Sequence, residues 1–143
     1  ATRDMNLSFQ AAETALRGAE NFIEAQTLES TFDDNTIVDG IYSQAGDEHP
    51  DDLFTVVWDD TNSKAVFADV AGALQGVTLS PRYMIKKLKK IGCTPTVFRV
   101  TVRGTGGTNN RATLLRSHYA KIFGSGSSGP EGRLSWEQLF PSQ

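Results

Sequence analysis

The sequence is poor in the residues that build most chemical sites. Its 143 residues include a single cysteine, Cys93, and two histidines, His49 and His118. One cysteine closes no internal disulfide, which excludes a disulfide-stapled scaffold and a zinc site made of several cysteines. A lone cysteine is commonly just a small buried hydrophobe. No run of 18 apolar residues occurs, so nothing in the sequence reads as a membrane-crossing helix, and no stretch has the form of a signal peptide. Acidic residues outnumber basic ones, 17 to 14, giving a formal charge of −3, which leans against a nucleic-acid partner.

The motifs of common chemistries are also missing. No G-x-S-x-G elbow surrounds a serine, and there is no P-loop. Gly104-Thr105-Gly106-Gly107-Thr108-Asn109 lacks the last glycine of a dinucleotide loop and precedes a strand rather than a helix. Asp33, Asn35 and Asp39-Gly40 miss the calcium-loop spacing, as do Asp59, Asp60 and Asn62. Cys93 has no local signature that pairs it with a histidine. His118 sits in a strand-like alternation beside Ser117, where a structural or surface role is the ordinary one. No catalytic residue, metal or cofactor is expected.

What is present is a folded domain. Apolar residues make up 38% and charged residues 22%, and 143 residues suit one domain with a real core. The organising stretch is Asp4 to Glu24. Met5, Phe9, Ala12, Leu16, Ala19 and Ile23 recur at alternating spacings of four and three, which is one apolar stripe on an α-helix. The helix is about 30 Å long, interrupted only by Gly18 at a propensity cost near ~1 kcal/mol. An isolated helix of this size is marginal in water, so later residues must cover the stripe.

Thr27 to Asp52 is polar and acidic and reads as a long surface connection. Leu53 to Trp58 reads as a short strand from its β-branched and aromatic content. Asp59 to Ser63 is a turn, and Lys64 to Gly76 is irregular or a short helix. Pro81 to Ile91 alternates, with Tyr83 and Ile85 opposed to Met84, Lys86 and Leu88. Thr96 to Arg103 is the clearest strand, with Phe98, Val100 and Val102 on one face. Arg111 to Phe123 alternates again. Together these predict a three-stranded antiparallel meander under the helix. The fold class is α+β, a long N-terminal helix packed on a three- to four-stranded antiparallel sheet. Lys86, Lys87, Lys89 and Lys90 form a basic cluster. Contact with an anionic partner is one reading, and protection of an edge strand is the ordinary one.

The tail has a different character. Residues 124–129, Gly-Ser-Gly-Ser-Ser-Gly, are a flexible linker by composition. Beyond it, Leu134, Trp136, Leu139 and Phe140 form a short amphipathic stretch in which Ser135 and Gln138 have capping-box spacing. This segment is set apart from the domain of residues 1–123. It reads either as a disordered vector-derived scar or as a segment that docks in a groove through Leu134–Phe140.

The run FQAAETALRGAENFIE resembles the segment that follows the transmembrane span in PilX-type minor pilins of type IV pili. Arg3, Leu7, Phe9, Gln10, Ala11, Ala12, Glu13, Ala15, Leu16 and Glu20 fit that pattern. Further blocks follow in family order. They are Trp58-Asp59-Asp60-x-Asn62-Ser63, Pro81-Arg82-Tyr83-x-Ile85, and Phe98-Arg99-Val100-Thr101-x-Arg103-Gly104-x-Gly106-Gly107. Lys86-Lys87 departs from the pattern, which has an acidic residue after the second block, so any contact made by that acid does not carry over.

The resemblance implies a structural protein rather than an enzyme, with residues 1–123 holding the C-terminal half of a pilin helix and its globular domain. It implies packing with other minor pilins and the major pilin, and a role with a PilY-type adhesin in priming assembly and in the tip complex. It also implies a leader, a prepilin-peptidase site and a hydrophobic half-helix upstream of Ala1. These would anchor the protein in the inner membrane, with a periplasmic domain, before assembly into the extracellular pilus. On this reading the sequence is a soluble fragment; the alternative is a mature protein starting at Ala1. A type II secretion pseudopilin is the nearest alternative function, and a small hydrolase or ligand-binding domain the more distant one.

Overall fold

The computed structural model describes residues 2–32, 40–44, 52–66, 80–88, 94–106, 112–124 and 129–141. Helix α1 (Thr2–Ala25) is continuous. It packs on a mixed sheet of six strands: β1 (Ile41–Tyr42), β2 (Lys64–Ala65), β3 (Arg82–Lys87), β4 (Thr96–Thr105), β5 (Ala112–Lys121) and β6 (Gly132–Leu139). The order across the sheet is β1-β3-β4-β5-β6, with β2 also on β3. The α+β class and the antiparallel β3–β4–β5 meander are as the alternation predicts. The sheet is larger than expected and not purely antiparallel, because β1 runs parallel to β3 with Ile41 opposite Ile85.

The helix lies unusually close to β4. Ala11, Ala12, Ala15, Leu16, Ala19 and Ile23 are completely buried, and the alanines carry nothing beyond Cβ to hold the layers apart. The approach is tightest at Gly104, where a Cβ would overlap the backbone of Ser8, Ala11 and Ala12, so only glycine fits. Gly18 has a packing reason as well, since a Cβ there would press on the Val66 side chain at 3.0 Å.

Both faces of the sheet are covered. Against α1 stand Tyr83 and Ile85 of β3, Phe98, Val100 and Val102 of β4, and Leu115 of β5, joined by Phe32 and Ile41. Phe32 lies 4.5 Å from Phe98 and meets Phe22 edge-on at 5.9 Å, ring centre to ring centre. On the far face, Met84 and Leu114 pack with Tyr42, Leu53 and Trp58. Burial on both faces explains why β3 holds five buried residues in a row instead of an in–out alternation.

Four expectations need correction. Leu53–Trp58 is a turn, not a strand. The amides of Thr55 and Val56 both donate to the Asp52 carbonyl at 2.9 Å, and Trp58 Nε1 donates to the Leu53 carbonyl at 2.9 Å. Leu53 and Trp58 are five residues apart, which would send them to opposite faces of a strand; the turn puts both into one cluster. Second, β3 is not an edge strand at Lys86, because β4 lies on one side and Tyr42 of β1 on the other. Third, Lys64–Ala65 is a strand, while the rest of that stretch from residue 67 lies outside the described residues. Fourth, the capping-box stretch is strand β6, where Ser135 stands opposite His118 and Gln138 opposite Leu115. The linker residues 125–128 lie outside the described residues.

Candidate interaction surface

The stripe read from the sequence divides along α1. Ala12, Leu16, Ala19 and Ile23 are at 0% exposure under the sheet, Phe9 is half-buried, and Met5 is 52% exposed. Met5 and Phe9 are one helical turn apart on the same face. Beside them runs β6, and Trp136 meets Phe9 edge-on with ring centres 6.1 Å apart. The two sets of residues singled out in the sequence therefore touch at this one contact. Leu134, Trp136 and Phe140 are exposed, and Leu139 turns to the far face against the second cluster. Leu134 has no register partner, because the pairing slips between His118 and Tyr119.

Polar residues beside the stripe fasten the helix to β5 and β6. Ser8 and Thr113 share a hydroxyl–hydroxyl bond of 2.7 Å. The buried Glu20 carboxylate accepts both Nε and Nη2 of Arg133 at 2.8 and 2.7 Å, and Ser117 Oγ at 3.3 Å. This fork holds Arg133 above the usual guanidinium range, the bond to Glu20 outweighing partial burial. One turn on, Glu24 accepts the Tyr119 hydroxyl at 2.9 Å, and its carbonyl accepts Lys121 Nζ. Burial, then the bond to Glu24 and the surrounding carboxylates, pushes the Tyr119 phenol up to about 12. Sequence reasoning assigns none of these residues a fastening role. The available signal was Glu20 and Glu24, two like charges one turn apart on a helix, which need cations from elsewhere.

Two of the blocks that carry the resemblance, Trp58–Ser63 and Pro81–Ile85, form a clamp. Asp59 Oδ1 accepts the amides of Thr61 and Asn62, and Asn62 Oδ1 accepts the amide of Asp59. This closed turn is tied to β3 by Arg82, which donates to the Ser63 carbonyl and hydroxyl and pairs with Asp60 at 2.7 Å. Arg82 holds the Asp60 carboxyl below its usual range. Tyr42 reaches the same turn through the Asn62 carbonyl. The departing Lys86-Lys87 pair is buried: Lys86 Nζ donates to the carbonyls of Ser43 and Gln44, and Lys87 pairs with Glu29 at 2.8 Å. Lys89 and Lys90 lie outside the described residues.

His118 Nδ1 is 3.0 Å from Ser135 Oγ across the β5–β6 pair, and burial together with Arg99 and Arg116 lowers its pKa. His49 and Cys93 lie outside the described residues. Among the described residues, no cluster of His, Cys, Asp or Glu could hold a metal ion, and no helix is long and apolar enough to cross a membrane.

The family model for the type IV pilus assembly protein PilX C-terminal region matches residues 25–121. It begins at the last residue of α1 and ends at the last residue of β5, so it takes in the clamp and the central meander and neither the stripe nor β6. No curated protein and no solved structure matches the chain.

Proposed function

Because the chain belongs to the PilX family of type IV pilus assembly proteins, we propose that it is a minor pilin, a structural subunit that works through association with other pilins. The family is one of pilus assembly and not of enzymes, and this reading assigns no catalytic residue. The observation that supports it most directly is the partly exposed end of the stripe. A helix whose Ala12–Ile23 face is fully buried, while Met5 and Phe9 on the same face are not, offers an apolar ridge to a neighbour. In the proposed arrangement a hydrophobic half-helix precedes α1 and anchors the protein in the inner membrane. The sheet domain stands in the periplasm, and the helix joins those of other minor pilins and the major pilin to prime assembly. A tip complex with a PilY-type adhesin is the proposed destination.

The test is Phe9→Glu in the full-length protein, expressed in a piliated host lacking its own copy. Surface pili should fall sharply, and co-purification of the other minor pilins and the adhesin should be lost, while the isolated domain still unfolds cooperatively. Normal piliation and co-purification by the Phe9→Glu protein would overturn the reading.

A further inference from the structure

We propose that β6 is an exchangeable strand, and that the groove between β5 and α1 accepts β6 of a second copy of this chain as readily as its own. The proposal does not rest on the assigned function.

The groove is a built strand site. It has a backbone ladder on β5 from Leu114 to Ala120, the Glu20 carboxylate at one end, the Phe9 ring along its side, and His118 on its outer face. Every partner that holds β6 belongs to residues 9–122. Glu20 takes Arg133, Phe9 takes Trp136, His118 takes Ser135, and the Ile122 amide donates to Glu131 at 3.0 Å. Each copy therefore carries a complete acceptor site and a complete donor strand.

The donor strand is weakly committed to its own chain. None of its eight residues is buried, in contrast to β4 and β5, so withdrawing it uncovers only the margins of the two apolar clusters, at Leu139 and Trp136. It rejoins β5 through residues 123–130, whose central part is Gly-Ser-Gly-Ser-Ser-Gly. That connection spans up to roughly 30 Å when extended, enough to reach β5 of an adjacent molecule. With identical contacts in either arrangement, the choice between them is set by concentration alone. A connector this short gives an effective concentration on the order of millimolar, so the chain is a monomer at micromolar levels and exchanges where copies are crowded together.

The Glu20–Arg133 fork supplies the test. A Glu20→Arg chain carries two arginines at this contact, and an Arg133→Glu chain carries two glutamates, so neither can form the pair within itself or with its own kind. Only mutual exchange of β6 between the two chains restores an ion pair at both grooves. Sedimentation of the equimolar mixture should show a heterodimer at least about tenfold tighter than either homodimer. A mixture that sediments as the sum of its two components overturns the proposal.

A second pair covers the case in which a charge reversal impairs folding. His118→Cys and Ser135→Cys, each with Cys93→Ser, place one thiol on the acceptor and one on the donor. Oxidised together near millimolar concentration, they should give a crossed disulfide dimer well above the amount each gives alone; equal amounts overturn the proposal.

Discussion

From Ala12 to Ile23 the stripe of α1 is sealed against the sheet, whereas two turns earlier Met5 is 52% exposed and Phe9 rests half-buried beside Trp136. Both stretches obey the same helical period. They differ in how fully they are covered: Phe98, Val100, Val102 and Leu115 seal the first, while Phe9 lies at the rim of that cluster beside Trp136 of the exposed edge strand. Periodicity names the face a helix will bury without naming the thing that covers it. One end of the stripe is sealed into the domain, and the other keeps an exposed methionine and a half-buried ring.

The sharpest way to break this contrast is at the closest approach. Gly104→Val drives a branched side chain into the backbone of Ser8, Ala11 and Ala12, which cannot give way as a side chain can. Its cost should reach the ~4–5 kcal/mol that marks exceptional substitutions, read as a loss of cooperative urea unfolding or a collapsed midpoint. A midpoint near wild type would mean that helix and strand are not in contact there. Next is Leu16→Ala, which empties a fully buried site and should cost ~2–5 kcal/mol, with a lower urea midpoint at unchanged slope.

A smaller effect concerns the fastening between the two regions. The Tyr119 phenol is pushed up from 10.0 to about 12 in the folded chain, so folding favours its neutral form. That contribution is complete below pH 10, shrinks as pH rises, and is gone above pH 12. The stability difference between wild type and Tyr119→Phe should therefore be largest below pH 10 and decline toward pH 12. A difference that stays flat over that range would mean the phenol is unperturbed.

The smallest effect should be at the open end. Phe9→Ala removes a half-buried ring that packs at the rim of the α1 cluster and against Trp136, and it should cost ~1–2 kcal/mol, below the range for fully buried aromatic rings. Equal losses for Phe9→Ala and Leu16→Ala would erase the division of the stripe.

The central architecture was legible because its signals are local and repeated. Phe98, Val100 and Val102 alternate over a strand long enough to leave no second reading, and the four–three spacing of α1 is equally direct. Leu53–Trp58 misled because β-branched and aromatic residues favour a strand only if one is there to pair with, and the Asp52 turn satisfied the backbone first. The parallel β1–β3 pair rests on two residues, too few to carry a pattern. Lys86 and Lys87 read as an edge because their burial depends on carbonyls at Ser43 and Gln44 and on Glu29, all distant in sequence. In β6, Ser135 and Gln138 fit a helix cap as well as a strand, and only the groove on β5 selects between them.

The wide sequence separations of the helix contacts also set the order of events during synthesis. Ser8 waits for Thr113, 105 residues later, and Glu20 waits for Ser117, 97 residues later. Helix α1 is made before every strand that covers it, and its apolar face stays partly open until β3, β4 and finally β5 have been added. Contacts of this kind slow folding and lengthen the exposure of sticky surface. A chaperone or an early partner helix that binds α1 during that interval would meet the same face that the sheet later claims.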